Sequence, residues 1–244
     1  MRFFNERFLA TSKSNSPIYQ SLEKISADAN LCGALEDHGR NVGKAHGAKN
    51  TVVQLSKVFI SLLLSDAEQE LAVVREEMNQ AFDELLRLPL PGDIREGLIC
   101  DAEQELIEAF FCDVFVGYVL RGSSPRQISF GFGDFSARGM LAGLIDAVGE
   151  IGKLFEDYLA KNSVSAEEDL AIRSRYVEFG RETCAFLSTF KAVPPTALNA
   201  SRRPGQGFHG KLARVESLVY RYQGEVTRLR REAELLQKLS EVTK

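Results

Sequence analysis

The sequence predicts an all-α fold, an antiparallel bundle of six to seven long helices, and three observations carry that expectation. Apolar residues recur at 3.6-residue spacing in one segment after another. Helix-forming Ala, Leu, Glu, Lys and Arg fill the positions between them, with only seven prolines in 244 residues. No segment alternates apolar and polar residues with the period of two that a half-buried strand needs. At 44% apolar residues the chain can bury one sizeable core, so a single helical domain over 17–244 is expected after an N-terminal arm, 1–16.

The arm alternates Phe with Arg, Asn and Glu and ends in serines, a composition that reads as flexible. Ser16-Pro17 suits the start of a first helix, 17–64, because Pro is tolerated at the first helical position. Gly33, Gly39, Gly43 and Gly47 weaken its centre, and Val52, Leu55, Phe59, Leu62 and Leu63 restore a stripe. Ser65-Asp66 is expected to cap a second helix, 67–88, whose Leu71, Val74, Met78, Phe82 and Leu85 share one face. Pro89 and Pro91 end it. A third helix, 91–120, is apolar nearly all round after Ala109, so its second half is expected inside the protein. Residues 122–135, rich in Gly, Ser and aromatics, read as a loop over a site.

The fourth helix, 137–160, carries Leu141, Leu144, Ile145, Val148, Ile151, Phe155 and Tyr158 as its stripe. Ser165-Ala-Glu-Glu opens a fifth, which ends near Lys191 before Pro194-Pro195. A second loop, 200–210, precedes a final helix, 211–239, striped with Leu212, Val215, Leu218, Val219, Tyr222, Val226, Leu229 and Leu236.

The formal net charge of −4 hides a polar distribution along the chain. Between Asp66 and Glu108 thirteen acidic residues face three basic ones, a local balance of −10. From Asn199 to Lys244 ten Lys or Arg face five acids, a local balance of +5. A basic end on an acidic body would contact phosphates or pair with its neighbour. The four cysteines, Cys32, Cys100, Cys112 and Cys184, form no Cys-x-x-Cys pair, which leaves out a zinc ribbon or dithiol motif and makes them small core residues of a reducing compartment. The stretch 114–120 is too short, between Asp113 and Arg121, to cross a bilayer. Cytoplasmic residence is expected, or nuclear in a eukaryote, with no membrane partner.

Candidate chemistry lies in two carboxylate pairs. Glu105 and Glu108 stand three residues apart on one side of the third helix, among Leu106, Ile107, Ala109, Phe110 and Phe111. Like charges in apolar surroundings repel and lose hydration, which a cation, a shared proton or a Lys or Arg from another helix would offset. Asp146 and Glu150, four apart on the fourth helix, sit beside Gly139, Gly143 and Gly149, though the same face carries Lys153 and Asp157 and would also suit solvent. Two such pairs facing each other make an oxygen-rich site suited to Mg²⁺ or Mn²⁺. A di-iron carboxylate bundle needs Glu-x-x-His on two helices, and none occurs.

Gln104-Glu105-Leu106-Ile107-Glu108-Ala109, followed by Leu141-Ala-Gly143-Leu-Ile-Asp146-Ala-Val-Gly149-Glu150-Ile151, resembles the Trax (translin-associated factor X-like) branch of the translin family. Leu212-Ala-Arg214-Val215-Glu216-Ser-Leu-Val-Tyr220 is similar to the Lys-Val-Glu-x-x-x-Tyr stretch near that family's C-terminus. The glycine-spotted stretch 33–47 and the arm depart from the family's pattern. The resemblance implies a translin-like helical domain that assembles, alone or with a translin-like subunit, into a hollow, roughly octameric shell acting on single-stranded RNA. It also implies a Mg²⁺-dependent endoribonuclease whose acidic quartet maps to Glu105, Glu108, Asp146 and Glu150, with Lys57 of Ser56-Lys57 toward RNA phosphate. On that implication Lys57, Arg202, Arg203 and Lys211 are the candidates to track the RNA backbone without sequence preference. Translin itself lacks the complete quartet, so a non-catalytic binder of single-stranded RNA or DNA is the alternative. Which carboxylate would act as general base instead of ligand is left open by the residues.

Overall fold

The computed structural model describes residues 29–65, 67–123, 135–190 and 208–242. They form an all-helical bundle of six helices packed against one another: α1 (Ala29–Leu62), α2 (Glu68–Arg87), α3 (Gly92–Phe115), α4 (Ala137–Lys161), α5 (Ala166–Ser188) and α6 (Phe208–Val242). A single π-helical turn, Val116–Leu120, continues α3. The arm 1–16, the proposed helix start at Ser16-Pro17 and the body of both long loops lie outside the described residues.

Local sequence accounts for most helix ends. Pro91 precedes α3 in an extended conformation, where its missing N–H costs nothing. Ser165 caps α5 as its sequence suggests, its Oγ accepting from the Glu168 N–H at 3.2 Å. Ser136 does the same for α4, accepting from the Gly139 N–H at 3.0 Å. At α2 the cap expected from Ser65-Asp66 is not made by Ser65, and Asp66 lies outside the described residues. The Ser65 hydroxyl donates back to the Leu62 carbonyl at 2.6 Å, satisfying the end of α1, and α2 begins after Ala67 with no side-chain cap among the described residues.

Contacts between named residues fix the direction of each helix. Arg75 of α2 lies over the Phe59 ring of α1, 5.4 Å from its centroid, and bonds Asp113 of α3 at 2.6 Å. Nearer the other end of α2, Arg95 of α3 donates to the Leu86 carbonyl at 2.9 Å. So α2 runs antiparallel to α3. On the far side, Gly180, Tyr176 and Arg173 of α5 meet Val219, Tyr222 and Glu225 of α6 in reverse order, again an antiparallel pair.

Between these halves α3 and α4 run in the same direction. Glu103 meets Ser136, Gln104 meets Asp146, and Phe115 meets Phe155, the numbers rising together along both helices. The bundle is thus antiparallel between α2 and α3 and between α5 and α6, with a parallel seam between α3 and α4. Gly139 and Gly143, one turn apart on α4, make the seam close. A Cβ at Gly143 would stand 2.5 Å from the Gln104 carbonyl oxygen and 2.7 Å from Ile107 Cβ, inside any normal contact.

Above the seam sits the aromatic core. Phe115 packs edge-on against Tyr176 and Phe179, with centroids 5.9 and 5.6 Å apart, and Phe155 stands against Tyr176 and Tyr222 at 4.1 and 4.8 Å. Among the stripes expected from sequence, Leu71, Val74, Met78 and Leu85 are buried, as are Leu212, Val215, Val219, Tyr222 and Val226. Leu236 is not: it is 67% exposed, along with Leu235 and Leu239, because α6 outruns its partner α5.

Candidate functional site

The seam places the two carboxylate pairs on neighbouring helices, at the same level of the bundle. Glu105, Glu108, Asp146 and Glu150 are all half-buried. Asp146 accepts a hydrogen bond from the Gln104 side-chain amide at 2.5 Å, across the α3–α4 contact. One turn further along, the Cys112 thiol is completely buried, and its pKa is pushed well up by that burial, then by the charges of Glu108 and Glu150. One thiol therefore senses a carboxylate from each helix. Lys153 stands 3.9 Å from Glu150, an exposed contact on the outer edge of α4.

Four carboxylates are hard oxygen donors, the chemistry Mg²⁺ and Mn²⁺ take, and Mg²⁺ is usually held by one or two carboxylates with water completing its shell. Among the described residues, however, no three His, Cys, Asp or Glu side chains are placed together to hold one.

Sequence reasoning passed over the two residues that organise this seam. Glu103, only 3% exposed, accepts from the Ser136 backbone N–H at 3.0 Å and from the Ser136 hydroxyl, tying the start of α4 to α3. Gln104, 7% exposed, holds Asp146. Gln104 stands in the stretch that carries the family resemblance, but its contact and that of Glu103 have no signal beyond position: both fall on the face of α3 that meets α4, whereas charge draws attention to Glu105 and Glu108. Below the seam, Arg95, Cys100, Glu103, Ser136 and Arg138 line a cleft of about 290 Å³. Burial raises the Cys100 pKa there, and Arg138 pulls it part of the way back.

Of the basic candidates, Lys57 is exposed on α1, next to Ser56, which is buried and donates to the Val52 carbonyl at 2.7 Å. Arg202, Arg203 and the side chain of Lys211 lie outside the described residues. Three further cations on α1 were legible as a pattern. From His38 to Leu64 the chain has no Asp or Glu, while Arg40, Lys44, Lys49 and Lys57 are all basic. Lys44 is exposed and Lys49 half-buried, and Arg40 pairs with Asp37 at 3.2 Å.

Comparison with protein-family models, with curated proteins and with solved structures returns no match. No helix among the described residues is long and apolar enough to cross a membrane.

Proposed function

We propose that this chain is a Mg²⁺-dependent endoribonuclease of the Trax type, acting on single-stranded RNA within a hollow homo-oligomer or a hetero-oligomer with a translin-like subunit. The observation that supports the reading is the parallel seam, in which α3, the helix of Glu105 and Glu108, packs along α4, the helix of Asp146 and Glu150, with Asp146 bonded to Gln104 across the contact. Resemblance of both acidic helices to the translin family supplies the reaction class. In this reading the carboxylates bind and orient the ion, with Mn²⁺ a competent substitute, and one of them takes the proton from the attacking water. The ion when bound lowers the pKa of water and offsets charge on phosphoryl oxygens. Lys57 and the acid-free stretch of α1 attract the RNA backbone, so affinity falls steeply with salt and depends little on sequence.

The test replaces Glu108 and Asp146 separately with Ala and follows cleavage of single-stranded RNA in Mg²⁺ and in EDTA. Loss of Mg²⁺-dependent cutting in both variants is expected, and undiminished cutting in both refutes the proposal. Native mass measurement of the particle tests the oligomer separately.

One observation favours a second reading, a binder of single-stranded RNA or DNA without catalysis: among the described residues no three potential ligands stand together. That reading expects retention in a gel with no products under any metal condition.

A further inference from the structure

We infer that the outer face of α6 around Tyr220 is a docking track for single-stranded RNA, in which the Tyr220 ring stacks on a base and a row of arginines takes the phosphates. The inference rests on the reading above that single-stranded RNA is the substrate, and it involves no bound ion.

Tyr220 closes the stretch of α6 that resembles the translin family, and nothing in the bundle's packing uses it. It is 71% exposed, more than any other large apolar side chain among the described residues, on a helix whose Val219 and Tyr222 are buried. Helical side chains lean toward the N-terminus, so the surface on the C-terminal side of this ring belongs to the residue one turn on. That residue is Gly224, also exposed, and a Cβ there would meet nothing within 4 Å. The ring therefore has open helix surface beside it, where a planar base can lie against its face.

Charge supplies the second observation. Between Ser217 and Arg231 the chain has four arginines, Arg221, Arg228, Arg230 and Arg231, against one acid, Glu225, which Arg173 of α5 holds. Arg214, Arg221 and Arg228 are exposed and recur every seven residues, so they form one row along the helix, about 10 Å apart. Arg221 pairs with Glu156 of α4, and Arg228 with Glu232, each at 2.7 Å. Those guanidiniums are 49% and 65% exposed, and ion pairs so open to water contribute little. A phosphate can thus take up their remaining N–H groups without a large loss. Exposed aromatic faces beside a cationic row bind single strands with little regard to sequence, the base giving the ring a flat partner and the backbone giving the arginines their anions.

The experiment follows binding of a fluorescein-labelled oligo(U) strand by anisotropy, in EDTA so that no metal-dependent cutting intervenes. It compares the full wild-type chain with Tyr220→Ala, Tyr220→Trp and the double variant Arg214→Ala with Arg231→Ala, all at exposed positions, with circular dichroism to verify each fold. Tyr220→Ala should weaken binding about tenfold. The double arginine variant should weaken it too and lower the slope of log affinity against log salt by about 1.4. The chain has no Trp, so Tyr220→Trp carries a sole reporter, whose emission should fall as the strand stacks on it. Wild-type affinity in Tyr220→Ala, or unchanged emission from Tyr220→Trp at saturation, overturns the stacking role. Wild-type affinity and salt slope in the arginine variant overturn the track on α6 and leave the RNA reading standing. Absence of oligo(U) binding by the wild type overturns both.

Discussion

Gly143 and Gly149 lie on one helix, six residues apart, and an alanine at each should act in opposite directions. At Gly149 an added Cβ meets nothing within 4 Å, so Gly149→Ala removes only the entropic cost of glycine in a helix and should stabilise by roughly 0.5–1 kcal/mol. At Gly143 the same methyl would lie 2.5 Å from the Gln104 carbonyl oxygen and 2.7 and 2.9 Å from Ile107 Cβ and Cγ2. Neither the Gln104 backbone nor the Cβ of a β-branched residue on a helix can swing aside, so the seam must open. Overpacking of that kind costs typically about 1–3 kcal/mol, which the propensity gain only partly offsets. The two variants should therefore differ by roughly 2 kcal/mol. Urea denaturation followed by circular dichroism at 222 nm measures both. A Gly143→Ala protein as stable as Gly149→Ala would refute the close parallel contact of α3 and α4.

Other outcomes follow from burial and charge. Phe115→Ala, which removes a fully buried ring touching Phe155, Tyr176 and Phe179, should destabilise by about 3–5 kcal/mol in the same denaturation assay. Burial raises the Asp113 pKa, with Arg75 and Arg121 pulling it back part of the way. The folded chain therefore holds that proton at pH values where the unfolded chain has released it. Stability should fall as pH rises across that acidic interval, and Asp113→Asn should remove this component from the pH dependence of the urea midpoint. Iodoacetamide at pH 8 should label half-buried Cys184 well before Cys100 and Cys112, whose thiols are buried and held protonated, as peptide mass mapping will report.

How much was legible in the sequence follows from what periodicity encodes. A stripe such as Leu71, Val74, Met78 and Leu85 states that a helix exists and which face it buries, and α2 obeys it. It does not state which helix covers that face or which way the covering helix runs, so the parallel run of α3 and α4 was not readable. Helix α3 made this harder, because Leu98, Ala102, Leu106, Ile107 and Cys112 bury nearly its whole circumference and no single face stands out. Within the candidate site, the acids were visible as charges in apolar surroundings. Gln104 and Glu103 take their roles from contacts made across 42 and 33 residues of chain, which local spacing cannot contain. Ser65 shows the limit at short range: a hydroxyl between two helices can serve the end of one or the start of the other, and here it serves α1.

The overrun of α6 beyond α5 divides one continuous rod into two regimes of amide exchange. As far as Val226 its amides lie beneath buried side chains and exchange only when the bundle unfolds as a whole. Past Arg230 every described side chain faces water, and the terminal turns are held by local pairs such as Arg228 with Glu232 at 2.7 Å. A short helical end without tertiary support is marginal in water. Deuterium should therefore enter this helix from its C-terminal end and stop where Arg173 of α5 grips Glu225, making the protection boundary a direct readout of where the packed body of the protein ends.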